Sequence, residues 1–453
     1  MSNANRKQSS KHLVAAMSAA FGLLGLQTFA HAALLPVTSC ADDNSSGTLR
    51  QVAASASHGD QIDLSALSCA SSTITLTQGE IVVPVNATLS GPANGTLNIT
   101  SEGGRILKSM SADEPAYLNV ENLTLSGGRL YTDGDFADGG CIFAIGAVNL
   151  TNTVVNDCAV LAANAMARGG AIYAQTVSLV SSRVTGNFAR ATGSYQLSRG
   201  GGIYAGTLTC TDSTLSGNVS VADAETMTAD GGGALVMAGD LHLSRCTVDN
   251  NVADNGGGIL QFARPTSTTL IENSTISGNA AHSAYAAGGL HVFCADCTAP
   301  VQLFNSTIAF NSAPTMYGAG LFAKGPVIAQ STIIASNVGA EGGALDMYAP
   351  SLTGADNLIQ STNVTTAEGV ITSTADPILL PLADNGGVTQ THALDTGSPA
   401  LQHGNNSALL STDQRGAGFS RVLNESVDIG AWQTQENATP RATTDRIFAV
   451  AFD

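Results

Sequence analysis

Short runs of alternating apolar and polar residues dominate the middle of the chain. Ile172-Tyr173-Ala174, Val177-Ser178-Leu179 and Ser182-Arg183-Val184 alternate with the period of a half-buried strand. Such runs lie between glycine blocks that close on an aliphatic residue: Gly139-Gly140-Cys141-Ile142, Gly169-Gly170-Ala171-Ile172, Gly200-Gly201-Gly202-Ile203, Gly232-Gly233-Ala234-Leu235, Gly256-Gly257-Gly258-Ile259, Gly288-Gly289-Leu290, Gly318-Ala319-Gly320-Leu321 and Gly342-Gly343-Ala344-Leu345. The aliphatic positions recur every 24 to 32 residues. A second block closes on an asparagine in successive repeats, at Asn187, Asn218, Asn251, Asn279 and Asn311. Three short strands per repeat of this length predict one coil of a parallel β-helix. A helical solenoid would need amphipathic runs of ten or more residues, which the Gly, Asn and β-branched content opposes.

Coils stacked about 4.8 Å apart turn equivalent positions into columns. The asparagines are expected to form a ladder at one corner, and the glycines to sit where the chain needs positive φ or close approach. Cys141 falls where other coils carry Ala171 or Gly202, Cys246 where they carry Ser182, Ser213, Ser274 and Ser306, and Cys210 where they carry Leu179 and Leu243. Cys141 and Cys246 therefore read as small core residues and Cys210 as an inward one, while Cys158 follows a turn at Asp157. Leu49, Val52, Ala53 and Ala56 recur at helical spacing behind Ser45, Ser46 and Thr48, which predicts a short capping helix. The expected architecture is all-β: a single-stranded right-handed parallel β-helix over residues 62–375, an N-terminal cap over 33–61, a C-terminal cap over 376–437 and a tail over 438–453. In the C-terminal cap, Ile378-Leu379 and Ala431-Trp432 are expected to cover the last strand edges. Asp413 and Arg415 would pair there, and Gly386, Gly387 and Gly416 would supply its turns.

Composition adds an address. Arg6, Lys7 and Lys11 precede an apolar run over residues 13–26 and then Ala30-His31-Ala32, so residues 1–32 read as a secretory signal peptide. Val37-Thr38-Ser39-Cys40 approximates a lipobox, which leaves lipoprotein processing as an alternative. No later segment is long enough for a transmembrane helix. With 18 Lys+Arg against 35 Asp+Glu the net charge is −17, which argues against a nucleic-acid partner. Export permits disulfides among the eight cysteines. Cys40 and Cys69 are the expected long-range pair. Cys294 and Cys297 form a tight local pair, the alternative being zinc ligation together with His291.

Several segments are similar to known exported proteins. Val37-Thr38-Ser39-Cys40, Gly47-Thr48-Leu49-Arg50-Gln51-Val52-Ala53 and Gly59-Asp60-Gln61-Ile62-Asp63-Leu64 resemble the leader region of secreted bacterial right-handed parallel β-helix proteins. The stretch from Leu382-Ala383-Asp384-Asn385-Gly386-Gly387 through Gln390-Thr391-His392-Ala393-Leu394, Thr412-Asp413-Gln414-Arg415-Gly416 and Asp428-Ile429-Gly430-Ala431-Trp432 resembles the choice-of-anchor Q domain. The glycine repeats are also similar to those of polymorphic outer membrane proteins, although Gly-Asn stands here where those proteins often carry a Phe-x-x-Asn block. The resemblance implies the fold and a secreted or outer-membrane surface location. The residues after Trp432 are too few for an outer-membrane barrel, and Arg446-Ile447-Phe448-Ala449-Val450-Ala451-Phe452-Asp453 is read as a sorting signal, with a frayed apolar terminus as the alternative.

Two constellations could carry chemistry. The first is the outward position after each glycine block, Phe143, Tyr173, Tyr204, Val236, Leu260, His291, Phe322 and Asp346, followed two residues on by Phe262, Phe293, Lys324 and Tyr348. Tyr173, Tyr204, His291, Phe322, Lys324 and Tyr348 are the candidate substrate-binding residues, since flat rings suit sugar stacking. Packing of a long loop or of the C-terminal region over this face is the competing explanation. The second constellation lies in the loops: Asp133, Asp135, Asp138, Arg168, Arg190, Tyr195, Arg199, Asp223, Glu225, Asp230, Asp254, His282 and Tyr285. Arg168, Arg199, Asp138, Asp230, Asp254 and His282 would be the catalytic set of an enzyme, because polysaccharide lyases use an Arg or Lys base and glycosidases paired carboxylates. Alternating surface ion pairs are the competing explanation. Asp384, His392, Asp413, Arg415 and Asp428 belong to the C-terminal motif. Acidic groups beside its glycine turns are competent to bind calcium, though capping bonds are the expected use, and no other cofactor is implied. The expected function is a monomeric, exported, cell-surface-associated scaffold that binds a polysaccharide or cell-surface glycan. The alternative is a secreted polysaccharide lyase or glycoside hydrolase acting on acidic polysaccharide.

Overall fold

A computed structural model describes residues 32–84, 86–110, 116–193, 196–223, 228–294, 296–339 and 345–435. Residues 1–31 of the expected signal peptide, the tail 438–453, Tyr195, Glu225 and the block Gly342-Gly343-Ala344 lie outside the described residues.

Over the described residues the chain is an all-β, right-handed parallel β-helix of about ten turns with one short helix. Its strands form a 20-stranded and a 12-stranded sheet along the solenoid, with shorter 6- and 4-stranded sheets beside them. Register explains why these sequences become strands. Ile172 pairs with Ile203, Ile203 with Ala234, Ala234 with Ile259, Ile259 with Leu290 and Leu290 with Leu321, so each inward aliphatic packs on its counterpart one coil away. In Ile172–Val180 buried and more exposed positions alternate with the period of two up to Gln175 and again from Thr176, the phase resetting between them. The core is one continuous aliphatic column from Val37 to Val370. The helix Leu49–Ser55 buries Leu49, Val52 and Ala53, and the Thr48 side chain accepts from the Gln51 N–H as its N-cap.

The glycine block has two jobs. Gly169 holds φ at +63°, and at Gly170 a Cβ would meet the Gly201 carbonyl oxygen at 2.0 Å, so only glycine fits the corner. This also corrects the register of one repeat. Gly231, with φ of +63°, matches Gly200, so Ala234 rather than Leu235 occupies the inward site and Leu235 points outward in place of Val236. The repeat has three glycines, Gly231-Gly232-Gly233, and the corner starts at the first. Near the last coil a register shift between Gly318 and Leu321 seats Tyr348 opposite Phe322, so Asp346 is buried instead of outward.

The asparagine ladder runs in one direction. The side-chain amide of Asn187 donates to the Asn218 oxygen at 2.8 Å, Asn218 to Asn251, Asn251 to Asn279, Asn279 to Asn311 and Asn311 to Asn337 at 2.9 Å each. Each oxygen also accepts the backbone N–H of the preceding asparagine, and each amide donates once more to a backbone carbonyl, as Asn251 does to Leu215 at 2.9 Å. Asn337 then donates to Asp346 Oδ1 at 3.0 Å. At the first rung Cys158 takes the asparagine's place, donating its N–H to Asn187 Oδ1 at 2.9 Å.

Cys141, Cys246 and Cys210 are buried in the core as read, and Cys158 follows the turn at Asp157, but the four are also bonded to one another, which the reading of them as plain core residues did not assign. Cys141 is bonded to Cys158 and Cys210 to Cys246, joining Cys40–Cys69 and Cys294–Cys297. The corner geometry supplies the reason. Where later coils set a glycine against an asparagine, as Gly202 against Asn218, the first sets Cys141 against Cys158.

The C-terminal region also departs from expectation, since it does not simply close the last strand edges. It lies against the outer face of the 12-stranded sheet, where the Thr247 hydroxyl donates to the Gln390 carbonyl at 2.6 Å, Thr275 to Gln414 Oε1 at 2.6 Å and the Ala431 N–H to Thr307 Oγ1 at 3.1 Å. That face changes character along the solenoid. Thr214 and Ser216 point outward in one coil, but Ile333, Ala335 and Leu358 do so further on, and these pack against Leu394, Ala400, Ile429 and Trp432. Asp413 and Arg415 pair at 2.6 Å inside this layer, with the guanidinium 3.9 Å from the Phe419 ring centre. The fully buried Arg421 donates to Asn273 Oδ1 at 2.6 Å and to two backbone carbonyls.

Asn251→Ala removes a ladder amide and leaves the Asn218 donors and the Leu215 carbonyl unpaired inside the core. Chemical denaturation is expected to show a loss of about 2–4 kcal/mol. Truncation before Asp376 uncovers Ile333, Ala335 and Leu358, and gel filtration of that variant is expected to show oligomers or aggregate where the full chain elutes as a single species.

Candidate functional site

The outward column after the glycine corners is set by strand pairing. Phe143 pairs with Tyr173, Tyr173 with Tyr204, Tyr204 with Leu235, Leu235 with Leu260, Leu260 with His291, His291 with Phe322 and Phe322 with Tyr348. The rings therefore form two groups separated by two leucines. In the first, Phe143 and Tyr173 stack at 5.3 Å and 9°, and Tyr173 and Tyr204 at 5.0 Å and 8°. Their faces are turned to one another, so what remains toward solvent is ring edge and the tyrosine hydroxyls. Tyr173, with a ring on either side, has no free face for a sugar to stack on, whereas Tyr204 ends the stack.

Beside this column runs a column of charge. Asp138, Arg168, Arg199 and Asp230 pair in register on adjacent strands, with Asn255 bridged to Asp230. Arg168 holds Asp138 through two parallel bonds of 2.7 Å, and its guanidinium lies 4.7 Å from the Tyr173 ring centre and 4.6 Å from that of Phe136. Phe136 itself is 53% exposed. Asp138, Arg168, Phe143, Tyr173, Gln175 and Tyr204 line an open depression of about 350 Å³. Arg105 backs it, bonded to Glu80 and to the carbonyls of Asp138 and Gly139.

Arg199, Asp230, Asp254 and His282 form a second chain of groups further along. Arg199 stands 3.5 Å from Asp230, and His282 3.9 Å from Asp254, which accepts the Ala229 N–H at 2.8 Å. Asp230 is 3% exposed, and burial raises its carboxyl above the ordinary range against the Asn255 bond and the Arg199 charge. Asp138 lies three strands from Asp230, roughly 14 Å at the rung spacing. A pair of glycosidase carboxylates stands about 5–9.5 Å apart, so those two cannot serve as one.

The second aromatic group contains His291, Phe322, Lys324 and Tyr348. Phe322 stacks on Tyr348 at 5.4 Å, His291 meets Phe322 edge-on at 4.8 Å, and the exposed Lys324 amine lies 5.6 Å from the Phe322 ring centre. His291 is buried with neither ring nitrogen bonded. The Cys294–Cys297 disulfide removes the zinc alternative, because disulfide sulfurs are not thiolate ligands. Among the described residues no group of three or more His, Cys, Asp or Glu side chains is placed to hold a metal ion.

Sequence reasoning missed Phe136, Gln175 and Arg105. Phe136 sits in the same loop as Asp133, Asp135 and Asp138, and an exposed aromatic among carboxylates was the available signal. Gln175 reaches the depression, and Arg105 the Asp138 and Gly139 carbonyls behind it, only through register, which no local motif encodes.

Burial, aided by Lys324, lowers His291 to about 4, and burial lowers His392 to about 4 against its bond to the Leu380 carbonyl. Because a carbonyl only accepts, His392 Nδ1 donates to it at 2.7 Å, and Nε2 accepts from the Ser277 hydroxyl at 2.8 Å. Both rings are neutral in the folded chain, whereas an unfolded histidine takes up its proton near 6.5. The stability they contribute is complete above that value and is lost as pH falls from about 6.5 to about 4, by on the order of 3 kcal/mol per histidine. Melting temperatures across that window are expected to fall for the natural chain and to fall less for His392→Gln. Comparison with known protein families, curated proteins and solved structures finds no match to this chain.

Proposed function

We propose that the protein is an exported, cell-surface-associated β-helix scaffold that binds a glycan through the depression beside Tyr173 and Tyr204, without chemistry of its own. The observation that carries this reading is the convergence there of the Asp138–Arg168 pair, two tyrosines and Gln175 next to the exposed Phe136 ring. Planar and hydroxyl-bearing groups fixed on rigid strands suit a ligand that is itself ring and hydroxyl. Export is supported by the basic and apolar leader and by four disulfides, two of them buried in the core. The layer that binds back along the solenoid, which resembles a choice-of-anchor Q domain, is read as the surface-retention element.

The enzymatic alternative rests on Asp230, whose raised carboxyl beside Arg199 has the form of a general acid. Screening against a polysaccharide panel, read by unsaturated products, reducing ends and direct binding, separates the two. Saturable binding without turnover is expected. Tyr173→Phe and Tyr204→Phe keep the ring column and remove the hydroxyls, so each is expected to weaken binding about 5- to 10-fold with an unchanged melting temperature. Turnover abolished by Arg199→Ala or Asp230→Ala would overturn the scaffold reading.

A further inference from the structure

The charges at the depression point to a class of ligand. Resting on the glycan-binding reading above, we infer that the site takes a neutral glycan and rejects uronates and sulfated sugars, with the Asp138–Arg168 pair as the element that sets this preference. Among the described residues those two are the only charged ones in its lining, and they neutralise each other through two 2.7 Å bonds. The guanidinium is further held by the Phe136 and Tyr173 rings.

The cations behind the lining are engaged as well. Lys108 lies 3.1 Å from Glu80, Arg105 bonds Glu80 and two backbone carbonyls, and Arg199 lies 3.5 Å from Asp230. Each of these described cations touches a carboxylate, with Arg105 and Lys108 sharing the single Glu80 and none of the three lining the depression itself. A sugar carboxylate or sulfate would therefore have to draw Arg168 away from Asp138 and then sit beside the carboxylate it displaced. The net charge of −17 over the chain opposes its approach from further out. A neutral sugar meets no such obstacle. Its hydroxyls can donate to the remaining lone pairs of Asp138 and accept from the guanidinium and the tyrosine hydroxyls while the ion pair stays closed.

The same geometry states how the preference is reversed. Asp138→Asn keeps the shape of the side chain, removes the counter-charge and leaves the Arg168 guanidinium free to fork a carboxylate. The experiment measures binding of the natural chain and of D138N, by calorimetry or an immobilised panel, to neutral β-linked hexo-oligosaccharides, oligogalacturonate and heparin fragments. The natural chain is expected to bind a neutral member at least about tenfold more tightly than either anionic one. D138N is expected to lose about tenfold on the neutral ligand and to gain at least as much on oligogalacturonate. A salt series supplies a readout that needs no variant. Binding by the natural chain is expected to be insensitive to added NaCl, whereas contacts between unpaired charges weaken with screening.

Oligogalacturonate or heparin bound as tightly as the neutral ligand, or binding by the natural chain that falls steeply with salt, overturns the inference and leaves glycan binding standing. D138N that folds as the natural chain does but gains nothing on oligogalacturonate also overturns the role given to the pair. Binding to no member of the panel removes the glycan reading itself, and this inference falls with it.

Discussion

In-register parallel stacking is the constraint from which the rest of this molecule follows. Once each coil repeats the one before it at the spacing of a β-ladder, every side chain has its own counterpart as nearest neighbour along the axis. Inward, that requires aliphatic columns that tolerate self-contact, as Ile172 and Ile203 do. At the corner it rewards a residue that both donates and accepts, because only such a residue can bond to a copy of itself. Asparagine meets the condition, and its ladder acquires a direction, with each oxygen receiving two donors from the coil before. A directed ladder needs special ends. Asp346, which only accepts, receives the last amide, and Cys158, bonded to Cys141, replaces the first side chain with a covalent link.

This constraint is why so much of the fold was legible. Repetition lets one repeat check another, so a strand of three residues, worthless as an isolated signal, becomes firm when Arg183, Thr214, Thr247 and Thr275 fall at one column position. The misreadings arose where repetition itself was imperfect. The glycine triplet at Gly231 has no internal mark for its first member, and only the positive φ there decides the count. Cys141 and Cys246 sat in columns of small residues, which described their size correctly and concealed their partners. Those partners lie in other columns, and column logic relates a residue only to its equivalents.

The C-terminal layer escaped for a different reason. It has no repeat, and its strands are reduced to isolated bridges such as Leu379 with Leu394. Its position depends on the outer face of the 12-stranded sheet becoming apolar at Ile333, Ala335 and Leu358. That change is spread over coils more than twenty residues apart in the chain and is visible only once their outward positions are aligned. The candidate site was half legible on the same grounds. The residue types at Asp138, Arg168, Tyr173 and Tyr204 stood out, but whether each is free or consumed by its neighbour is a property of register.

Recognition on a solenoid is governed by that last distinction. A column of rings in the interior of a stack satisfies itself, as Tyr173 does between Phe143 and Tyr204, and a column of mixed charge closes into pairs, as Asp138 does with Arg168. Repetition therefore produces stability and leaves little to offer a ligand. Binding capacity arises where columns break. The ring column stops at Tyr204, since the next coil supplies Leu235, and the loop that carries Phe136 leaves the strands altogether. The depression lies at this discontinuity, where the pair of Asp138 and Arg168 adjoins the end of a ring stack and one exposed ring. The self-bonded asparagine corner has no comparable claim as a site, because each ladder amide from Asn187 to Asn311 and each oxygen from Asn218 to Asn337 already answers to its own copy.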